Sequence, residues 1–183
     1  LARGELWRHS QACAVMAWHI AKKIKMKQAD KAYTAALLED IGKVVLSVYM
    51  EETYEKILIR AEQEKESFLN VEKDILGFHH GEIGAELAKK WNLPSDLVEV
   101  IRYHHQPENA QHNPLLTSVV HVANALVMMM GIGLGIEGIA YPISDFALEQ
   151  LRLDTVELQQ IMSEVSDLFV DEDVFLTDFL REV

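Results

Sequence analysis

Cysteine occurs once in this sequence, at Cys13. That excludes an internal disulfide and a cysteine-based zinc site. Cys13 falls on the apolar side of the first helical stretch, where a small core residue is expected. Positive charge is also scarce: 17 Lys and Arg stand against 29 Asp and Glu, a formal net charge of -12. Phosphate backbones are held mainly by clustered cations, so direct nucleic-acid binding is not expected. The basic cluster Lys22, Lys23, Lys25 and Lys27 closes a helix, where cations suit the helix dipole. A secretory signal is missing as well, which makes a cytoplasmic setting the expectation. The chain begins at Leu1 rather than at methionine, as a fragment of a longer protein would.

One long stretch, residues 109–136, lacks Asp, Glu, Lys and Arg. It nevertheless carries His112, Pro114, Thr117, Ser118, His121 and Asn124, which suit a buried core helix better than a membrane span. Gly131, Gly133 and Gly135 follow a helix rather than a strand, so they read as a helix stop and not as a nucleotide loop. No Gly-x-Ser-x-Gly nucleophile motif occurs.

What is present is helical periodicity. Apolar residues recur at spacings of three, four and seven over 5–27, 30–49, 51–66, 71–91, 94–105, 114–130 and 154–168. Asp30 is placed to cap the second of these helices, and Ala36, Leu37, Ile41, Val44 and Val48 form its inward stripe. Pro94, Ser95 and Asp96 open the fifth. An apolar, acidic tail covers 169–183. The expectation is a single all-α domain over 1–183, with its core at about 5–168.

Polar groups punctuate the inward faces. His9 lies with Leu6 and Cys13; Asp40 with Ala36, Leu37 and Val44; His80 with Leu76, Ile83, Gly84, Leu87 and Trp91. His104 continues the stripe of Leu97, Val100 and Ile101, and Asn124 shares a face with Val120, Val127 and Met128. Five such groups on five helices can converge, and imidazole with carboxylate is a donor set for a divalent cation. His79, next to His80, is expected to point outward.

The order of these residues resembles the HDOD family, relatives of the HD and HD-GYP phosphohydrolases. The matching runs are Leu6-Trp7-Arg8-His9-Ser10, Leu37-Leu38-Glu39-Asp40-Ile41-Gly42-Lys43 and His80-Gly81-Glu82-Ile83-Gly84-Ala85. Trp91-Asn92-Leu93-Pro94, Ile101-Arg102-Tyr103-His104-His105 and Val122-Ala123-Asn124 complete them. The resemblance implies an HD-like helical bundle and a bacterial signal-transduction context, with signalling proteins or linked regulatory domains as partners. It also implies a helical N-terminal subdomain that this chain lacks.

The same resemblance marks a damaged metal site. Carried over by position, His9, Asp40, His80, His104 and His105 remain, whereas Glu39 stands for the histidine of the His-Asp pair and Asn124 for a late aspartate. Glu39 adds charge beside Asp40, and Asn124 offers an oxygen without charge. No cofactor is therefore expected; low occupancy by Fe, Mn, Zn or Mg, if any, would use Asp40, His80, His104 and His9. The expectation is a non-catalytic output or scaffold domain acting through protein contacts. The alternatives are a divergent metal-dependent phosphohydrolase acting on a nucleotide or cyclic dinucleotide, and a small-ligand sensor.

Overall fold

The computed structural model describes residues 3–132 and 142–166. They form ten α-helices and one short 3-10 turn, and no strand occurs among the described residues. Helix α1 runs Arg3–Lys23, α2 Ala29–Leu38, α3 Ile41–Tyr49, α4 Glu51–Glu64 and α5 Phe68–Leu76. After these come α6 His80–Lys90, α7 Ser95–Tyr103, α8 Pro114–Met129, α9 Asp145–Leu151 and α10 Thr155–Ser166. No described helix is long and apolar enough to cross a membrane.

The main core joins α1, α2 and α8 with α9 and α10, through Met16, Ile20, Ala36, Leu116, Val119, Val120, Leu126 and Ile161. Fully burying each larger aliphatic side chain contributes about 1.5–3 kcal/mol. A second cluster packs α3 and α4 on α5 through Leu46, Tyr54, Ile57, Phe68 and Val71. There the Tyr54 and Phe68 rings meet edge to face at 5.6 Å. A third joins α6 and α7 through Ala85, Ala88, Val98 and Ile101.

Several sequence expectations change here. The stretch 30–49 is two helices, broken at Glu39 and Asp40. The break resets the helical phase, so α3 turns Gly42, Lys43 and Leu46 inward and leaves Val44 and Val48 exposed. Asp30 is not a cap; α2 starts at Ala29 behind Gln28, and no side chain caps it. The stretch 71–91 is likewise two helices. Gly77, at φ 79°, ends α5 in the left-handed conformation that glycine adopts without strain. Trp91 is consequently solvent-exposed beyond the end of α6. Helix α9 was not anticipated.

Other readings correspond closely. Asp154 caps α10, its carboxylate accepting from the amides of Val156 and Glu157 at 2.9 Å. Gly131, at φ 72°, follows α8 as a helix stop. Gly133, Gly135 and the tail 169–183 lie outside the described residues.

Candidate metal centre

Close helix contact, permitted by glycine, builds the centre. A Cβ on Gly42 would overlap the His80 carbonyl, and one on Gly84 would fall 2.8 Å from Ile101 Cγ2. One on Gly81 would fall 2.9 Å from the Ile101 carbonyl oxygen. Because these positions carry no side chain, α3, α6 and α7 approach backbone to backbone. That approach brings Asp40, His80 and His104 to one point. Helix α1 supplies His9 and Cys13 one turn apart, and α8 supplies Asn124.

All seven sequence-derived site residues assemble there. His9, Glu39, Asp40, His80, His104 and Asn124 are buried, and His105 is half-buried. They divide into two groups around Asp40. On one side, the Nε2 atoms of His80 and His105 lie 2.8 Å apart, and those of His80 and His104 3.4 Å apart. Asp40 Oδ1 stands 3.3 Å from His80 Nε2 and 3.7 Å from His104 Nε2. On the other side, His9 Nε2 lies 3.1 Å from Asn124 Oδ1 and 3.4 Å from Cys13 Sγ. Its Nδ1 donates to the Ile132 carbonyl at 3.2 Å. With that proton on Nδ1, Nε2 needs a donor; turning the Asn124 amide over supplies one and satisfies its otherwise orphaned nitrogen.

Three participants escaped the sequence reading. Glu72, buried at the inner face of α5, accepts from His80 Nδ1 at 2.6 Å and from the His80 amide at 3.0 Å. Lys43 is fully buried, and its ammonium donates to Asp40 Oδ2 at 2.9 Å while lying 5.6 Å from the Phe68 ring centroid. His121 braces the far side, donating from Nδ1 to the His104 carbonyl at 2.8 Å. The Lys43 and Cys13 positions were visible as one-turn neighbours of Asp40 and His9. Glu72 could not be paired with His80 without foreseeing the turn at Gly77. His79 is a correction of the opposite kind: it is buried rather than outward. Its Nδ1 accepts from the Gly81 amide at 3.2 Å, and its own amide donates to Glu82 at 3.0 Å, capping α6.

Burial works against charge on His80, His104 and His105, and the outcome differs with the partner. For His80, Glu72 and Asp40 overcome burial and raise the ring to about 9. His104 is lowered by burial to about 3, despite the attraction of Asp40. Burial followed by the charges of its histidine neighbours and Lys43 holds His105 well below the usual range. Burial also opposes ionised Asp40, but Lys43 and His80 hold its carboxyl well below the ordinary range. Burial and the neighbouring Asp40 charge push Glu39 well above it. The centre thus sets Asp40 and Glu72 against Lys43 and His80.

The first group fits a divalent cation. Asp40, His80, His104 and His105 each aim one donor atom into a space where all four lie within 4.8 Å of one another. Donors around a four-coordinate cation with bonds of about 2.0–2.1 Å stand roughly 3.3 Å apart, close to the spacings found. Glu72 on His80 Nδ1 and the Ile101 carbonyl, 3.0 Å from His104 Nδ1, turn both Nε2 atoms inward, and His80 would release its Nε2 proton to take a cation. Asp40 Oδ1 is buried without an aligned hydrogen bond, as an oxygen meant for a cation would be.

A model of the HDOD domain matches residues 1–107. The chain belongs to the HDOD family. An HDOD domain protein of unknown function from Geobacter sulfurreducens superposes with a TM-score of 0.79 at 25% identity, over 93% of this chain and 60% of that one. A protein of Marinobacter aquaeolei VT8, provisionally assigned to signal transduction, gives 0.79 at 20% identity, over 94% of this chain and 38% of that one. A provisionally assigned phosphohydrolase of Shewanella amazonensis SB2B gives 0.65 at 18% identity, over 90% of this chain and 65% of that one. An uncharacterised protein of Treponema pallidum (strain Nichols) is 32% identical over 127 residues, 64% of this chain. This HDOD chain spans 23% of that relative's length.

Proposed function

We propose that this chain is a non-hydrolysing signalling domain of a cytoplasmic bacterial pathway, acting through contacts with signalling proteins or linked regulatory domains. The observation carrying this reading is the burial of its chemistry: His9, Glu39, Lys43, His104 and Asn124 are 0% exposed, His80 1% and Asp40 2%. A phosphodiester must reach the metal-bound water that attacks it, and among the described residues only His105 of the four donors keeps partial exposure. The donor set points the same way. Asn124 brings no charge, and Glu39 places a carboxyl where the resemblance implies an imidazole.

Asp40, His80, His104 and His105 would hold one divalent cation in such a domain. When bound, it would neutralise Asp40 and supply Lewis acidity to any water that reached it. The protein groups do the positioning: Glu72 orients His80, the Ile101 carbonyl orients His104, and Phe68 with Lys43 closes the Asp40 side.

A second reading, ligand sensing, finds support away from the metal centre. A cleft of about 590 Å³ is lined by Lys89, Asn92, Arg102, Tyr103, Gln111 and His112 among others, and none of the seven site residues borders it. Its lining also includes the Glu99 carboxylate, and Lys89 and Arg102 are both paired with Glu86, so it suits a small polar ligand.

The deciding experiment is turnover. Chain loaded separately with Mn2+, Fe2+ and Zn2+ is offered bis(p-nitrophenyl) phosphate, nucleotides and cyclic dinucleotides. The proposal expects no release above that of Asp40→Ala. Saturable hydrolysis abolished by that substitution would establish the divergent phosphohydrolase instead, with Glu39 acting as a ligand.

A further inference from the structure

Helix α3 is apolar on both sides but covered on only one. Its single charged residue, Lys43, is buried with Gly42 and Leu46. The opposite side presents Val44, Val48 and Tyr49, which are 42%, 61% and 82% exposed, with Val45 half-buried beside them. The Ser47 hydroxyl turns back onto the helix, donating to the Val44 carbonyl at 3.0 Å. A helix that is hydrophobic all round is ordinarily buried all round. Valine on an exposed helix face brings neither burial nor helix propensity, because branching at Cβ restricts its rotamers. Apolar side chains grouped in this way, rather than scattered singly, mark a contact surface.

We propose that the outer face of α3 docks an amphipathic helix of a partner protein, apolar along one side and basic along its flanks. The exposed residues stand in rows one turn apart, Val44 with Val48 and Val45 with Tyr49, the ridges across which a second helix packs. Charge selects among the occupants. Met50 ends α3 and starts α4, so the exposed Glu51 and Glu52 adjoin the Tyr49 end of the face, with Glu55 one turn further on. Lys56 is the one cation in those first two turns of α4. A second copy of the chain would bring the same carboxylates and a further net charge of -12. The tail 169–183 is apolar enough to cover the face, yet it carries Asp171, Glu172, Asp173, Asp178 and Glu182 against Arg181. An anionic membrane surface is repelled in the same way. Aliphatic anchors flanked by lysine or arginine complement both the valine rows and the glutamates.

This names a kind of partner for the contact-based reading above and rests on that reading. Hydrolysis by the metal-loaded chain would sink the reading itself, whereas a peptide titration tests the α3 face with no cation present, so the two failures are distinguishable.

Two fluorescein-labelled peptides serve as probes. One carries leucines spaced by three and four with lysines elsewhere, and the other has glutamate in place of each lysine. Anisotropy titration at physiological ionic strength should show saturable one-to-one binding of the lysine peptide and none of the glutamate peptide. Val44→Ser/Val48→Ser should weaken binding at least about 10-fold, and Tyr49→Ser should weaken it separately. Val156→Ser, at a comparably exposed valine on α10, should leave it unchanged, which separates docking from general attraction to an acidic protein. Because these side chains stand in solvent, every variant should melt close to wild type. Failure of the lysine peptide to saturate, equal weakening by Val156→Ser, or unchanged affinity in both α3 variants would overturn the proposal. So would a dimer in sedimentation equilibrium that Val44→Ser/Val48→Ser dissolves, since a second copy would then be the occupant.

Discussion

Lys43 is the residue on which the metal-free centre turns. Its ammonium is fully buried 2.9 Å from Asp40 Oδ2, a position from which a cation-free carboxylate draws its compensation. Removing one member of a buried ion pair costs about 3–5 kcal/mol, because the surviving charge keeps its desolvation penalty. Lys43→Met is therefore expected to lose about that much stability by urea unfolding in chelator, and less when a divalent cation is supplied. An unchanged midpoint in chelator would remove Lys43 from the account. Glu72→Gln tests the orienting partner of His80: affinity for Mn2+ or Zn2+, read by calorimetry, should fall roughly 10- to 100-fold. At this scale the sequence was informative about ligands and poor about their supports. His9, Asp40, His80, His104 and Asn124 each interrupt an apolar face, and that pattern can be seen without coordinates. Glu72 looks like an ordinary surface charge until tertiary packing closes over it, and Lys43, one turn from Asp40 in the matching run, carries no local sign of its burial.

Among the elements, the glycines and the loop after α7 set the geometry. Gly42→Ala places a methyl group where the His80 carbonyl lies, so α3 and α6 must separate. Overpacking of this kind costs typically 1–3 kcal/mol, and the variant should melt lower and lose cation affinity together. Glu99 anchors the loop before α8 by accepting from the amides of Gln111 at 2.7 Å, His112 at 2.9 Å and Asn113 at 2.7 Å. Burial alone would raise its carboxyl, but these amides prevail and lower it. A lowered carboxyl contributes stability in full above its unfolded range, and that contribution is lost as pH falls through its folded value. The melting-temperature gap between wild type and Glu99→Gln should accordingly be widest near neutrality and close as pH drops below about 4. A gap that widens in acid would contradict this. Helix identity was legible from periodicity, whereas the breaks at Glu39–Asp40 and Gly77 were not. Apolar spacing runs on across both, and helical backbone at Glu39, φ -52° and ψ -41°, leaves little local signal of the turn.

For the molecule as a whole, the helical bundle carries a possible cation-binding cluster in its interior, and of its four donors only His105 is partly exposed. The packing that encloses it is that of a structural core: Ala, Val and Leu from α1, α2 and α8 on one side, the Phe68 cluster on another. Cys13, 0% exposed and 3.4 Å from His9 Nε2, is a native reporter of that enclosure. The most direct measurement is its reaction with a thiol-specific disulfide reagent in chelator-treated protein across a urea series. Modification is expected to be slow in buffer and to accelerate in step with the population of unfolded chain. Rapid, complete modification of the native protein, with no change in circular dichroism, would show that solvent and solutes enter the centre freely and would contradict the account.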